Sequence, residues 1–177
     1  KKKLEPFLIG KSIRPGETLI RQGDLATFFY VIQSGYLKWE RTTGQNAVKI
    51  LDIHGPCETP GELAPRLGSR YPANGIAITP CTLFAIARNT YLDLLSTDPG
   101  FSEVSSLCLA ARAHALLGRV EHGSEPTIET TLASFFMRLV RKFGSPHTLL
   151  GGSIKIPFEL TRIEVSHAAD CRPETVT

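Results

Sequence analysis

The closing stretch of the chain, LTRIEVSHAADCRPETVT, places polar side chains at the spacing of a helix-turn-helix. Thr161 suits the N-cap of a first helix, and Glu164 three residues later completes a capping box. Asp170 lies where a tight turn needs the left-handed conformation, and Pro173 suits the first turn of a second helix. The first residues of such a second helix contact base edges in the major groove of DNA. By spacing alone, this interpretation and a surface αα-hairpin without such a role fit equally well.

We expect the side chains of this segment to make two kinds of DNA contact. Glu174, Thr175 and Thr177 would face outward to read bases, and a Glu there accepts from the amino group of cytosine. Arg162 and Arg172, near the helix ends, would contact phosphates, which position a protein without reading sequence. The predicted DNA-contacting residues are Thr161, Arg162, Arg172, Pro173, Glu174, Thr175 and Thr177.

Few residues elsewhere have the spacing of a metal or redox site. No two of the four cysteines form a CxxC pair, so neither a zinc knuckle nor a thioredoxin motif is predicted. The region of predicted strands offers His54, with Glu58 and Glu62 nearby, and a metal enzyme on a cupin-type jelly roll needs more converging ligands. We therefore predict that the chain is not an enzyme. The cysteines are Cys57, Cys81, Cys108 and Cys171.

The composition of the whole chain indicates the general class of protein. The 177 residues are 42% hydrophobic and carry a net charge of +3, which is ordinary for a globular protein and only mildly basic. No apolar run reaches the roughly 18 residues that a membrane span needs, and the first ten residues lack the apolar stretch of a secretory signal. Together with the absence of CxxC spacing among the cysteines, these features predict a protein of the reducing cytoplasm that does not bind membranes.

Two kinds of periodicity divide the chain. Residues 12 to 90 read as short strands broken at glycine and proline, for example at Pro15-Gly16 and Pro80, which favours a sandwich or small barrel. RNTYLDLLSTDP then reads as a short helix. Asp98-Pro99 begins a long helix that we expect to end at Gly123. A third helix, capped by Ser124 or Thr127, ends at Gly144, and we expect its apolar residues Leu132, Phe135, Phe136 and Leu139 to face inward. IKIPFEL follows as a β-arm.

The long helix has two apolar stripes, so it needs two packing partners. One partner would be the strand region. The other would be the same helix of a second copy, packed as a short coiled coil. A helix buried within one chain is the alternative. The stripe predicted to face the second copy is Val104, Leu107, Ala111 and His114.

Four segments together resemble one known family over nearly the whole chain: PGETLIRQGD, FFYVIQSGYLKW, PGELA followed by YPANGIAITPCTLFAI, and the closing stretch. The family is that of the cyclic-AMP receptor and fumarate/nitrate-reduction (CRP/FNR) regulators of bacteria. The resemblance implies an α+β fold with a double-stranded β-helix (jelly-roll) sensor in residues 1–97. A dimerisation helix in 98–123 and a winged helix-turn-helix domain in 124–177 follow. In the family, ETVT usually continues with a base-reading Arg and a β-wing, so we expect an incomplete C-terminal domain.

The resemblance also implies an effector pocket. Gly61 and Glu62 match the Gly-Glu pair that begins the phosphate cassette of cyclic-nucleotide receptors, where the Glu holds the ribose hydroxyl. Where the family has its phosphate-binding Arg and Ser, this chain has Tyr71 and Pro72, with Arg70 one residue away. A buried phosphate without its cation is costly, so cyclic AMP in the usual mode is not expected. The implied pocket residues are Gly61, Glu62, Leu63, Ala64, Arg70, Tyr71, Pro72, Ala73, Leu116 and Leu117.

The sequence does not decide among several other effectors. An apolar or aromatic small molecule suits Tyr71 and the two leucines of the long helix, Leu116 and Leu117. Haem needs an axial His, Cys or Met, for which His54, His114 and Met137 are the candidates. An iron-sulfur cluster is not expected because the cysteines are dispersed, while a thiol switch through Cys57, Cys81 or Cys108 stays open. The cofactor is therefore unknown.

The sequence thus predicts a DNA-binding transcription regulator gated by an effector in its sensor. Its expected partners are double-stranded DNA with a palindromic site, a second copy of the chain, RNA polymerase, and a small-molecule or redox effector. A cyclic-nucleotide regulatory module of another protein is the alternative, although that function would not need residues 160–177. A cupin-type metal enzyme is a weaker alternative still.

Overall fold

The computed structural model describes residues 4–44, 47–120, 127–146 and 153–176. A short 3-10 helix, Glu5–Phe7, precedes the first strand, and a second, Pro173–Thr175, follows the last α-helix. The strands are β1 Ile9–Ile13, β2 Thr18–Ile20, β3 Phe28–Ser34, β4 Leu37–Thr42, β5 Val48–His54, β6 Asn74–Ala77, β7 Cys81–Ala87, β8 Ser145–Pro146 and β9 Ile154–Lys155. The helices are α1 Leu63–Leu67, α2 Arg88–Thr97, α3 Pro99–Val120, α4 Ile128–Phe143 and α5 Arg162–Ala169.

Two antiparallel sheets, built from β1 to β7, form the N-terminal half of the molecule, which corresponds to the predicted sensor. One has the strand order β1-β7-β3 and the other the order β2-β6-β4-β5. Side chains from both sheets share one core, since Ile32 and Leu83 of the first pack with Leu37 and Trp39 of the second. The alternation of apolar residues along each strand produces this arrangement, and the predicted sandwich is confirmed.

The β3–β4 turn depends on a glycine. Gly35 has φ +86°, a conformation that side chains rarely adopt. A Cβ there would also overlap the carbonyl oxygen of Pro80 and lie 2.7 Å from Sγ of Cys81. The turn therefore needs both the left-handed backbone and the missing side chain.

We expect Gly35→Ala to destabilise the sensor by more than the roughly 1–3 kcal/mol of backbone strain alone. Gly16→Ala is the matched control, because Gly16 has φ +81° and no atom within 4 Å of a built Cβ. Urea unfolding of both variants measures the difference. Equal losses of unfolding free energy would show that the contact with Pro80 contributes nothing.

A second apolar cluster attaches the helices to the three-stranded sheet. Phe29 of β3 stacks on Tyr91 of α2 at 4.3 Å between ring centroids, and Phe101 of α3 packs edge-on against both rings.

The predicted start of the long helix is confirmed, because Oδ1 of Asp98 accepts a hydrogen bond from the backbone N–H of Phe101. Its predicted end at Gly123 lies outside the described residues.

The C-terminal helices pack against the four-stranded sheet. Phe135 and Leu139 of α4 are buried with Ile50 and Ile53 of β5 and with Ala168 of α5. Thr127 caps α4 and Gly144 follows its last residue, as predicted. The expectation that Phe136 also faces inward is wrong. Positions 135 and 139 occupy the buried stripe one turn apart, which leaves the Phe136 ring 37% exposed.

The turn after α5 confirms the local predictions made from the closing stretch. Thr161 and Glu164 form the reciprocal capping box, and Asp170 adopts the left-handed conformation with φ 58°. After the turn, Pro173–Thr175 form a 3-10 helix rather than an α-helical turn. Thr177 lies outside the described residues.

Candidate functional site

A cavity of about 570 Å³ lies where the sensor, α3 and α4 meet. Strands β4 and β5 supply one wall, which includes Trp39 and Leu51, and the segment from Cys57 to Ala64 supplies the next. Cys108, Ala111, Arg112 and Leu116 of α3 face these walls, and Arg138 and Lys142 come from α4. A molecule in this cavity would contact all three parts of the protein at once.

Six of the predicted pocket residues line the cavity: Gly61, Glu62, Leu63, Ala64, Pro72 and Leu116. The structure places three others elsewhere. Tyr71 and Ala73 are buried in the sandwich core, and the Tyr71 hydroxyl donates to the Phe28 carbonyl at 2.6 Å. Pro72, between them, turns to the opposite side. Nη1 of Arg70 donates to the Gly23 carbonyl at 2.7 Å, and Arg70 does not line the cavity.

The side chain of Leu117 lies outside the described part of the chain.

Gly61 has φ +70°, and a Cβ there would come within 3.0 Å of the Trp39 and Tyr71 rings. This glycine is therefore required both by the turn and by the aromatic side chains packed against it.

An arginine of the long helix binds the carboxylate at the base of the cavity. Nη1 of Arg112 forms an ion pair with Glu62, which is 4% exposed, and Nη2 lies 3.1 Å from Nδ1 of His54. Burial raises the pKa of Glu62, although Arg112 opposes the shift. Burial, with a further contribution from Arg112, lowers the pKa of His54 to about 3, so the imidazole is neutral. Its Nδ1 then accepts from the guanidinium.

Two cations of α4 bind the sensor beside this pair. Nζ of Lys142 lies 2.9 Å from Oε1 of Glu58 and donates to the Ile53 carbonyl at 2.6 Å. Asp52 lies near both cations, at 3.5 Å from Nε of Arg138 and 3.7 Å from Nζ of Lys142. These contacts join the C-terminal half directly to the cavity wall.

Sequence reasoning missed Arg112, Arg138 and Lys142. One signal for Arg112 was available, since the run LCLAARAHALL is apolar apart from Arg112 and His114. Arg138 and Lys142 stand four residues apart, which places them on one face of a helix. Neither signal shows which part of the chain the side chain contacts.

The residues considered for haem or thiol chemistry occupy different environments. Cys57 and Cys108 are exposed and line the cavity, whereas Cys81 is buried, and burial raises its thiol pKa. His54 is bound to Arg112, while His114 and Met137 are exposed. Within the described ranges, no three His, Cys, Asp or Glu side chains are grouped as metal ligands would be.

The predicted DNA-contacting side chains are accessible. Arg162, Arg172, Glu174 and Thr175 are exposed, and Pro173 is partly exposed. Thr161 is exposed as well, and its hydroxyl accepts from the backbone N–H of Glu164 at 3.2 Å.

Ion pairs hold both ends of α5 against the sensor. Nζ of Lys38 binds Glu164 at 3.0 Å, and Nζ of Lys49 binds Asp170 at 2.8 Å. Burial alone would raise the pKa of Glu164, but hydrogen bonds from Thr161 and Lys38 outweigh it and hold this pKa below its usual value. The face of the sheet thereby fixes the orientation of α5.

Comparison with known proteins covers both halves of the chain. Residues 10–98 match the family model for the cyclic nucleotide-binding domain. A CRP-like cAMP-activated global transcriptional regulator of Mycobacterium tuberculosis is 23% identical over 161 residues, which is 91% of this chain and 70% of that protein.

Two solved structures share the fold. FixK2 from Bradyrhizobium japonicum aligns with a TM-score of 0.74 at 17% identity, covering 96% of this chain and 80% of that one. Catabolite Activator Protein of Thermus thermophilus aligns with a TM-score of 0.63 at 23% identity, covering 99% of this chain and 78% of that one.

Among the described helices, none combines the length and the apolar character that crossing a bilayer requires.

Proposed function

The chain belongs to the cyclic nucleotide-binding domain family, among its CRP/FNR transcription regulators, and on this premise we propose that it is a sequence-specific DNA-binding regulator gated by an effector other than cyclic AMP. The observation that carries the proposal is the cavity, because the sensor, the long helix and α4 all line it. A ligand in the cavity changes the contacts of α4, which packs on α5. The segment that follows α5 carries the exposed side chains of Arg172, Glu174 and Thr175.

We assign the DNA contact to the segment that starts at the capping box of α5. The left-handed turn at Asp170 gives the chain the sharp bend of a helix-turn-helix, and Arg172, Glu174 and Thr175 after it are exposed. A winged helix-turn-helix of this kind would read a palindromic site, and promoter-bound protein would contact RNA polymerase.

The exposed stripe of α3 supports a two-fold dimer. Val104 and Leu107 are 61% and 62% exposed, and His114 on the same stripe is also exposed. Ala111 is exposed as well and also lines the cavity. Burying this stripe against a second copy would remove large apolar side chains from water. A C2 dimer would present two recognition segments about 34 Å apart, one turn of DNA.

The cavity favours a small, largely apolar effector over cyclic AMP. Pro72 stands on the wall in place of a phosphate-binding side chain, and Arg70 is directed at Gly23 instead. Glu62, the residue that would hold a ribose, is bound by Arg112. A redox signal is a second candidate, because the exposed thiols of Cys57 and Cys108 line the same cavity.

Cyclic AMP at millimolar concentration is expected to leave the melting temperature unchanged, because no cation of the cassette compensates its phosphate. A ligand at 100 times its dissociation constant would stabilise the protein by about 2.7 kcal/mol, which a thermal-shift assay resolves. A saturable rise in melting temperature would contradict the proposal and indicate that Arg70 turns inward. Arg70→Gln, which should then abolish the rise, is the matched variant.

Selection of bound sequences from random double-stranded DNA tests the regulator function. We expect enrichment of a palindrome whose half-sites are about 10 base pairs apart, centre to centre. Recovery of unrelated sequences with no shared half-site would contradict it.

A further inference from the structure

We propose that Lys38 and Lys49 of the sensor sheet are positioning residues for DNA reading, which set the distance between the two half-sites that a dimer binds. The inference rests on the proposed function, including its two-fold dimer. It names determinants of site selection that contact no base and that lie outside the helix-turn-helix.

Strand β5 connects the long helix to the turn of the helix-turn-helix. At the last residue of the strand, Nδ1 of His54 lies 3.1 Å from Nη2 of Arg112 on α3. At its second residue, Nζ of Lys49 binds Oδ2 of Asp170 at 2.8 Å. A strand advances about 3.3 Å per residue, so these two points lie about 16 Å apart along a strand that is paired with β4 over its length. The strand thereby holds the turn at a set distance from the helix of the proposed dimer.

Two ion pairs, one at each end, orient α5 on the sheet. Glu164 is the third residue of α5 and binds Nζ of Lys38 on β4 at 3.0 Å, while Asp170 directly follows the last residue. Apolar packing of Ala168 on β5 keeps α5 close to the sheet, but such packing is non-directional. The two ion pairs therefore fix the direction in which α5 crosses the sheet. Arg172, two residues after Asp170, begins the segment assigned to DNA, so its placement follows from the same contacts.

The two ion pairs differ in strength because they differ in exposure. The side chains of Lys38 and Glu164 are each 16% exposed, whereas those of Lys49 and Asp170 are 47% and 63% exposed. Water and salt weaken an exposed pair, which usually contributes little. We therefore expect Lys38 to have the larger effect on DNA reading.

The pair of Lys38 and Glu164 is also held in place from both sides. One carboxylate oxygen of Glu164 accepts from Lys38, and the other accepts from the backbone N–H of Thr161 at 2.9 Å as part of the helix cap. Lys38 binds Glu40 of its own strand at 3.3 Å as well. Burial alone would lower the pKa of Lys38, but Glu164 and Glu40 outweigh it and raise this pKa, so the ammonium group is charged. The contact thus joins two groups that are already oriented.

The probes are the palindrome recovered by selection and duplexes whose half-sites stand one or two base pairs closer together or farther apart. The measured quantity is the ratio of the dissociation constant at an altered spacing to that at the selected spacing. We expect Lys38→Met to lower this ratio about tenfold, since a hydrogen bond between charged groups is lost. Lys49→Met should lower it about threefold. Lys11→Met, on β1 of the other sheet, removes the same charge and should leave the ratio unchanged.

Three further measurements separate positioning from poor folding. Asp170→Asn keeps a residue that tolerates the left-handed turn and removes the partner of Lys49, so adding Lys49→Met to it should change the ratio no further. Lys38→Arg keeps the charge and should keep most of the ratio. Affinity for a duplex with a single half-site should be retained in Lys38→Met, because one half-site requires no fixed spacing, and a poorly folded variant would lose this affinity too.

The inference is overturned if Lys38→Met keeps the spacing ratio of the original protein, or if Lys11→Met lowers the ratio equally. It is also overturned for Lys49 if Lys49→Met weakens binding at every spacing alike, because Lys49 would then contact a phosphate rather than position Asp170. A protein that selects no palindrome contradicts the proposed function as well. An unchanged spacing ratio in a protein that does select one overturns this inference alone.

Discussion

Leu107→Lys is expected to convert a dimer into monomers. Leu107 is 62% exposed on α3, in the stripe with Val104, Ala111 and His114. A lysine there would bury a charge without a partner in an apolar helix–helix interface, which costs several kcal/mol. Size-exclusion chromatography with light scattering measures the mass directly. Affinity for a palindromic site should fall by about 100-fold or more, because the two half-sites no longer bind as one unit.

Ser106→Lys is the matched control, since Ser106 is also exposed but lies about 100° around the helix from Leu107. We expect this variant to stay dimeric and to bind DNA as the original protein does. If Leu107→Lys keeps the mass of the original protein, the interface lies elsewhere. If both lysine variants become monomers, the stripe of Leu107 has no special role.

Glu174→Ala and Arg172→Ala are expected to weaken DNA binding in different ways. Glu174 is assigned to a base, so its loss should relax preference at one base pair in each half-site, at about 1–3 kcal/mol. Arg172 is assigned to a phosphate, so its loss should weaken binding to all DNA alike and make the salt dependence shallower by about one unit of slope. Both side chains are exposed, so neither variant should disturb the fold.

Titration of each variant against a selected site and a scrambled one, at two salt concentrations, separates the two effects. Equal loss of affinity for both sequences in Glu174→Ala would show that Glu174 reads no base. A change of sequence preference in Arg172→Ala would move the base-reading role to that arginine.

Local signals in the sequence predicted much of the fold, because the atoms that determine these features are close in sequence. The capping box joins Thr161 to Glu164, the helix start at Asp98 involves Phe101, and the left-handed turn is a property of Asp170 itself. The same local character explains the success of the strand predictions, which rest on alternation within a few residues.

The candidate site was only half predicted, because its remaining contacts join distant parts of the chain. Arg112 binds Glu62 fifty residues away, and Lys142 binds the Ile53 carbonyl eighty-nine residues away. Tyr71 and Arg70 were expected in the cavity from their position in the cassette. Tyr71 instead faces the sandwich core, and Arg70 is held by the Gly23 carbonyl. No spacing rule in the sequence determines which of two opposite sides a loop residue will face.

We propose that this protein reads DNA sequence, and the ratio of two dissociation constants tests this property most directly. The protein is titrated against the palindrome recovered by selection and against a scrambled duplex of equal length, at one physiological salt concentration. The account predicts binding to the palindrome at least about 1,000-fold tighter than to the scrambled duplex. Equal affinity for the two duplexes would contradict it.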